Sequence, residues 1–169
     1  MAGVGRKQAA PAAGQGRRQD RRIRESRHDI YQPKGKLQDP TECPGCGVVF
    51  HEGRWRRDGA PAEARRTLCP ACRRIKGRNP AGYLKLRLSP TAPREEILAL
   101  VHNEAGREGK EHPLSRIIAV EEGKNEILVS TTDTHLPQRI GEALRHAYHG
   151  ELTLRYSKDQ QLVRAWWTQ

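Results

Sequence analysis

All four cysteines of this 169-residue chain fall in two Cys-x-x-Cys pairs, Cys43 with Cys46 and Cys69 with Cys72. The spacer between the pairs, residues 47–68, is long enough to return as a hairpin. Two pairs that each bend around one ion supply four thiolates at tetrahedral positions, the arrangement typical of structural zinc. We therefore predict that Cys43, Cys46, Cys69 and Cys72 hold one structural Zn²⁺ as the two knuckles of a zinc ribbon.

Three other chemistries use cysteines in this number. A redox dithiol needs only one pair and is expected within a β-α-β unit, which the surrounding residues do not indicate. Structural disulfides require an oxidising compartment, and no signal peptide is visible at the N-terminus. An iron–sulfur cluster can also take four thiolates, but evenly split pairs are more usual for zinc. These interpretations stay open as alternatives to zinc.

The net charge of +11 is concentrated in the first half of the chain. Residues 1–42 carry ten Lys and Arg against five Asp and Glu, and residues 43–91 carry eleven against three. Residues 92–169 carry ten against twelve, so the rest of the chain is slightly acidic. A surface polarised in this way attracts a polyanion, and a nucleic-acid backbone is the common one. The alternative is a basic protein whose charge only keeps it in solution.

Residues 1–28 combine Gly, Ala, Gln and Arg with almost no large apolar side chains. Such a segment cannot form a core, so we predict a disordered basic arm. Its arginine cluster is predicted to order on phosphates: Arg17, Arg18, Arg21, Arg22, Arg24 and Arg27. A solvated tail is the alternative, and a mitochondrial presequence fits poorly because the arm lacks an apolar face.

A second group of basic residues surrounds the cysteine pairs. An arginine fork can hold two phosphate oxygens, and a metal-bound backbone would present such forks rigidly. The predicted nucleic-acid contacts in this region are Arg54, Arg56, Arg57, Arg65, Arg66, Arg73, Arg74, Lys76 and Arg78. Trp55 lies among them and could stack on a base, but in so small a module we favour a core position for it.

The remaining pattern predicts an α+β fold with three segments: the arm at 1–28, a zinc ribbon with an extended lead-in at 29–90, and an α+β domain at 91–169. The run Tyr83–Leu88 alternates like a strand, and we assign it to the ribbon side of the boundary. Helices are predicted at 93–105, ending at Gly106, and at 134–149. Strands are predicted at 116–120, 127–131, 152–156 and 162–167.

That order, αββαββ, predicts a permuted ferredoxin-like domain with two helices on one face of a four-stranded antiparallel sheet. No paired aromatic stacking signature is visible on the other face. Because the segment is slightly acidic, we expect it to dock on a protein partner or to self-associate.

Evidence for an enzyme is weak. The run from Thr131 to His135 gathers hydroxyls, a carboxylate and an imidazole, but these residue types also cap helices at a strand-to-helix junction. We predict capping and no catalysis, with Asp133 and His135 as the first pair to test. No apolar run is long enough to span a membrane, so we expect a cytoplasmic protein without membrane partners.

Five short sequence segments carry a family resemblance that covers residues 29–167. They are Pro40–Gly47, Gly53–Trp55, Leu68–Ile75, His112–Ile117 and Ser130–Leu136. With these segments the chain resembles a group of small bacterial zinc-ribbon proteins and, more distantly, the large ribosomal subunit export adaptor of archaea and eukaryotes. The resemblance implies that the four cysteines are metal ligands and that the partner is the large ribosomal subunit or its RNA.

We therefore expect a non-enzymatic, ribosome-associated RNA-binding protein that acts in assembly, quality control or dormancy. A DNA-binding transcription accessory protein is the first alternative, since zinc ribbons also serve that machinery. A regulatory subunit or an enzyme is the second.

Overall fold

The structure, a computed structural model, describes residues 35–157 and 162–169. Their strands are β1 (Thr41–Glu42), β2 (Val49–His51), β3 (Arg54–Arg56), β4 (Arg65–Arg66), β5 (Gly82–Arg87), β6 (Ile117–Glu122), β7 (Glu126–Thr131), β8 (Glu151–Ser157) and β9 (Leu162–Thr168). Their helices are α1 (Pro70–Gly77), α2 (Arg94–Glu111) and α3 (Leu136–Tyr148). The predicted basic arm, with Arg17, Arg18, Arg21 and Arg22, lies outside the described residues.

Residues 35–81, which we call the metal module, contain a small sheet of four short strands in the order β3-β2-β1-β4. The β2–β3 hairpin pairs Phe50 with Trp55, and the two ring centroids lie 5.5 Å apart. Trp55 packs on the buried cluster formed around Cys43 and Val48. Trp55 therefore packs against the core of the module, as predicted, but stays partly exposed.

The second sheet has five strands in the order β6-β7-β5-β9-β8. β5 pairs antiparallel with β7 and parallel with β9, so the sheet is mixed. The prediction of four antiparallel strands is therefore wrong. The error lies in β5, which the alternating pattern alone places with the ribbon although it is the central strand of this sheet. We call residues 82–157 and 162–169 the sheet domain.

β5 takes the central position because one of its faces is wholly apolar. Leu84 and Leu86 are fully buried, whereas the intervening Lys85 is only partly covered. With β5 at its head, the element order is βαββαββ rather than the predicted αββαββ. The final hairpin places β9 against β5 and β8 at the edge.

Both long helices pack on the same face of this sheet. Ile97 and Val101 of α2 join Leu136, Ile140 and Leu144 of α3 in one buried cluster, so each helix turns an apolar stripe towards the sheet. The strands contribute the opposite half of that cluster, including the fully buried Trp167. These helices leave the other face of the sheet without a covering element among the described residues.

Helix α2 is longer than predicted. It continues through Gly106 to Glu111, where the sequence indicated a polar loop. A single glycine costs a helix only about 1 kcal/mol, and tertiary contacts offset this here: Gly109 is buried and its carbonyl accepts a 3.2 Å hydrogen bond from Nε of Arg57. Within the described ranges, neither this helix nor a shorter one is long and apolar enough to cross a membrane.

The turn between β2 and β3 is held by an exposed ion pair that should titrate. Nδ1 of His51 lies 2.6 Å from a carboxylate oxygen of Asp39, whose other oxygen accepts a 2.7 Å hydrogen bond from the backbone of Glu52. The hydrogen bond between the side chains raises the pKa of His51 above 6.5 and lowers the pKa of Asp39 below 3.8.

We expect this pair to stabilise the module only within a pH window. A raised histidine pKa gives stability that is complete below about 6.5 and is lost as pH rises through the folded value. A lowered aspartate pKa gives stability that is present above about 3.8 and is lost as pH falls. NMR titration should show a raised pKa for His51 that drops in Asp39→Asn; an unchanged pKa would contradict the pair.

Candidate metal centre

The four cysteines converge on one point, as their spacing predicts. Their Sγ atoms all lie within 4.8 Å of one another, and those of Cys46 and Cys69 are 3.7 Å apart. Four thiolates placed tetrahedrally at about 2.3 Å from one ion would be about 3.8 Å apart. The donor set thus fits a four-coordinate metal ion, with protein ligands at every position.

The first pair lies in the loop between β1 and β2. The carbonyl of Cys43 accepts a 2.8 Å hydrogen bond from the backbone of Gly47, and the amide of Cys43 donates to the carbonyl of Val48 at 2.8 Å. Gly47 has φ of +73°, a left-handed conformation that glycine adopts without a steric cost. This tight turn directs Cys43 and Cys46 to the same side.

The second pair belongs to a helix and not to a second knuckle, which corrects the predicted ribbon. Cys69 is the N-cap of α1, and its Sγ accepts a 3.4 Å hydrogen bond from the backbone of Cys72. The amide of Cys69 in turn donates to Sγ of Cys43 at 3.2 Å. A helix N-terminus favours negative charge, so this position assists ionisation of the thiols.

The thiols differ in their readiness to ionise. Burial raises the pKa of Cys69, and burial raises that of Cys72 to about 11. Burial also opposes ionisation of Cys46, but hydrogen bonds from the backbone of Val48 and the side chain of Arg116 outweigh it and lower the pKa to about 7. Four thiolates at this spacing require a cation among them.

Arg116, from the sheet domain, is a contact that the cysteine spacing could not reveal. Its Nη1 lies 3.7 Å from Sγ of Cys72, and its Nε donates a 2.8 Å hydrogen bond to the carbonyl of Pro113. Its Nη2 is buried without a partner among the described residues. A guanidinium at this place offsets part of the negative charge of a four-thiolate site, the role of an outer-shell group.

The predicted nucleic-acid contacts of the metal module divide into two groups. Five are engaged within the protein. Arg56 pairs with Glu52 and Asp58, Arg66 pairs with Glu42, Arg65 donates to Gln38, Arg57 donates to Gly109, and Arg74 donates to Asn79. Of these, Arg74 is only 8% exposed and holds the C-terminal end of α1, so it cannot reach a large ligand.

The other four cations have no carboxylate partner among the residues that the structure describes. Arg54 is exposed on β3, beside Trp55 in a cavity of about 410 Å³. Arg73 is half-buried on α1, whereas Lys76 and Arg78 are exposed at the end of the same helix. These four define what we call the cationic rim of the metal module.

Of the candidate catalytic pair, the carboxylate of Asp133 caps helix α3, and His135 contributes its backbone amide to that cap. Oδ1 of Asp133 accepts hydrogen bonds from the backbones of His135 and Leu136, at 2.7 and 2.8 Å. This is the arrangement that places a carboxylate at the start of α3. The side chains also line an open cavity of about 450 Å³ with Glu108 and Ser115.

Comparison with known proteins adds no relative: no family model matches the chain, and neither the curated proteins nor the solved structures contain a match.

Proposed function

We propose that this protein is a non-enzymatic RNA-binding protein that associates with the large ribosomal subunit. In this proposal one zinc ion fixes the metal module, and the cationic rim contacts RNA phosphates. The observation that carries it is the set of four rim cations beside the cysteine cluster, since unpaired cations on a rigid support are what a phosphate backbone requires.

Zinc is the proposed metal because four thiolates with no open position are typical of its structural sites. The 3.7 Å separation of Cys46 and Cys69 supports this assignment. A structural ion would act through the backbone that it holds, which carries Arg54 on β3 and Arg73 on α1.

Sedimentation of the full chain with ribosomes through a salt series tests the proposal. The variant changes the four rim residues Arg54, Arg73, Lys76 and Arg78 to Glu. We expect the wild type to travel with the large subunit at low salt and the variant to stay at the top. Against isolated ribosomal RNA, the slope of log K on log salt should fall by about 0.7–0.9 for each phosphate that the variant no longer binds.

A matched control carries four charge reversals in the sheet domain, at Arg107, Lys110, Lys124 and Arg145, all exposed. If both quadruple variants weaken RNA binding equally, total charge and not the rim would be responsible. If neither does, the proposal fails. Competition between duplex DNA and structured RNA separates the proposed function from a DNA-binding one.

A further inference from the structure

The face of the five-stranded sheet opposite the helices brings together residues that are far apart in the chain. In the strand register, Tyr83 of β5 lies beside Arg164 of β9, and Arg164 lies beside Arg155 of β8. In the next row of the same face, Lys85 lies beside Trp166. Neighbouring strands are about 4.8 Å apart, so these five side chains form one patch. We call it the stacking face.

The two arginines of this patch are directly opposite each other. Like charges at directly opposed positions destabilise a sheet, and neither Arg155 nor Arg164 has a carboxylate partner among the described residues. Two other cations of the face share one carboxylate, since Glu126 lies 2.8 Å from Nζ of Lys85 and 3.4 Å from Nε of Arg87. An anion bound at the arginine pair would remove the repulsion.

The aromatic residues are placed beside that pair. Trp166 is partly exposed, whereas the next residue, Trp167, is fully buried on the helix side. The guanidinium of Arg155 lies 5.8 Å from the ring centroid of Trp166, and Tyr83 is a diagonal neighbour of the indole. Flat rings next to cations that have no carboxylate partner among the described residues match a ligand that is itself a flat ring joined to an anion.

We infer that the stacking face binds single-stranded RNA: bases stack on Tyr83 and Trp166, and phosphates lie against Arg155 and Arg164. The sequence pattern indicates no pair of aromatic residues on this face because it assigns Tyr83 to the ribbon. With β5 in the sheet, Tyr83 and Trp166 lie on the same face. A protein partner is disfavoured because an apolar contact would bury the two arginines together. The inference shares with the proposed function only the class of ligand, since its surface is separate from the cationic rim.

Fluorescence anisotropy tests this inference. It measures how the full-length, metal-loaded protein binds a labelled oligoadenylate of about eight nucleotides, a length within the usual site size of single-strand binders. Trp166→Ala and Tyr83→Ala should each weaken binding by about 5- to 150-fold, the range that one base–aromatic stack provides. Arg155→Ala and Arg164→Ala should lower the salt slope by about 0.7 each.

Two controls isolate stacking from charge and from folding. Tyr156→Ala removes a 60% exposed aromatic from the helix side of the same sheet and should leave binding unchanged. An abasic strand keeps every phosphate but loses both stacks, so the wild type should bind it about as weakly as a Tyr83→Ala/Trp166→Ala double variant binds oligoadenylate. Trp166→Phe keeps a stacking ring and should restore most of the affinity, while removing the part of the RNA-induced fluorescence quenching that comes from Trp166.

The inference is overturned if the abasic strand binds as tightly as oligoadenylate, or if Trp166→Ala binds like the wild type. If the wild type is a dimer, and Trp166→Ala makes it a monomer without changing its affinity for RNA, the face would instead be the contact with a second copy of the chain. The variant with the four rim residues changed to Glu distinguishes a failure of the proposed function from a failure of this inference. If it leaves ribosome sedimentation intact while Trp166→Ala weakens oligoadenylate binding, the proposed function fails and the stacking face stands.

Discussion

A Cys69→Ser variant is expected to lose its metal and, with it, the folded state of the metal module. The reason is that the thiol of Cys69 is one of the four sulfurs of the cluster. Serine can still cap α1, and its backbone amide can still donate to Sγ of Cys43, so the variant removes the metal ligand specifically. The module offers only a small apolar cluster besides, so binding free energy of about 10–16 kcal/mol, typical of structural zinc, would be its main source of stability.

Metal content per chain and heteronuclear NMR spectra measure this outcome. We expect one zinc per wild-type chain and a metal affinity lowered in Cys69→Ser by more than the roughly 10- to 100-fold of an outer-shell change. Amide signals of residues 35–81 should collapse towards random-coil positions, and a chelator should produce the same spectrum from the wild type. Thr67→Ser, a neighbouring half-buried change, should alter neither measurement. A wild type with well below one zinc per chain would contradict the assignment.

The second large effect is expected from Trp167→Ala. The side chain of Trp167 is fully buried in the core of the sheet domain, and its Nε1 donates a 3.2 Å hydrogen bond to the carbonyl of His149. Removal of a buried tryptophan leaves a cavity and costs about 3–5 kcal/mol. Domains are stable by only about 5–15 kcal/mol in total, so this variant should be close to unfolding.

Urea denaturation followed by circular dichroism gives the difference in free energy of unfolding. The neighbouring Trp166→Ala is the matched control, because it removes the same atoms from the opposite, partly exposed face. It should cost clearly less than Trp167→Ala. Equal losses in the two variants would show that the register placing Trp167 in the core is incorrect.

Local patterns are sufficient to predict much of the fold. The stripe of Leu136, Ile140 and Leu144 predicts α3 because those positions share one helical face, and the structure buries all three. Two identical cysteine spacings predict one metal site because both pairs can reach the same ion, and the sulfurs do converge. In each case the structural feature is predicted by the spacing of residues that lie close together in the sequence.

Prediction from sequence is wrong where the consequence lies far along the chain. Alternation identifies Tyr83–Leu88 as a strand but carries no information about its partners, and the pairing of β5 with β9 joins opposite ends of the sheet domain. Gly106 predicts a helix end because the low helix propensity of glycine can be read from that residue alone. The hydrogen bond between Arg57 and Gly109, which stabilises the longer helix, joins residues far apart in the sequence and cannot be read locally. The approach of Arg116 to the cysteines is invisible for the same reason.

The metal module and the sheet domain are joined at three separate places. The chain passes from α1 into the central strand β5 through only residues 78–81, Arg57 donates to the end of α2, and Arg116 reaches the thiolates. Three attachments leave little freedom for one part to rotate against the other. An RNA strand that spans the cationic rim and the stacking face would therefore meet a preorganised surface, and its binding would not have to offset the entropy of fixing two independent bodies.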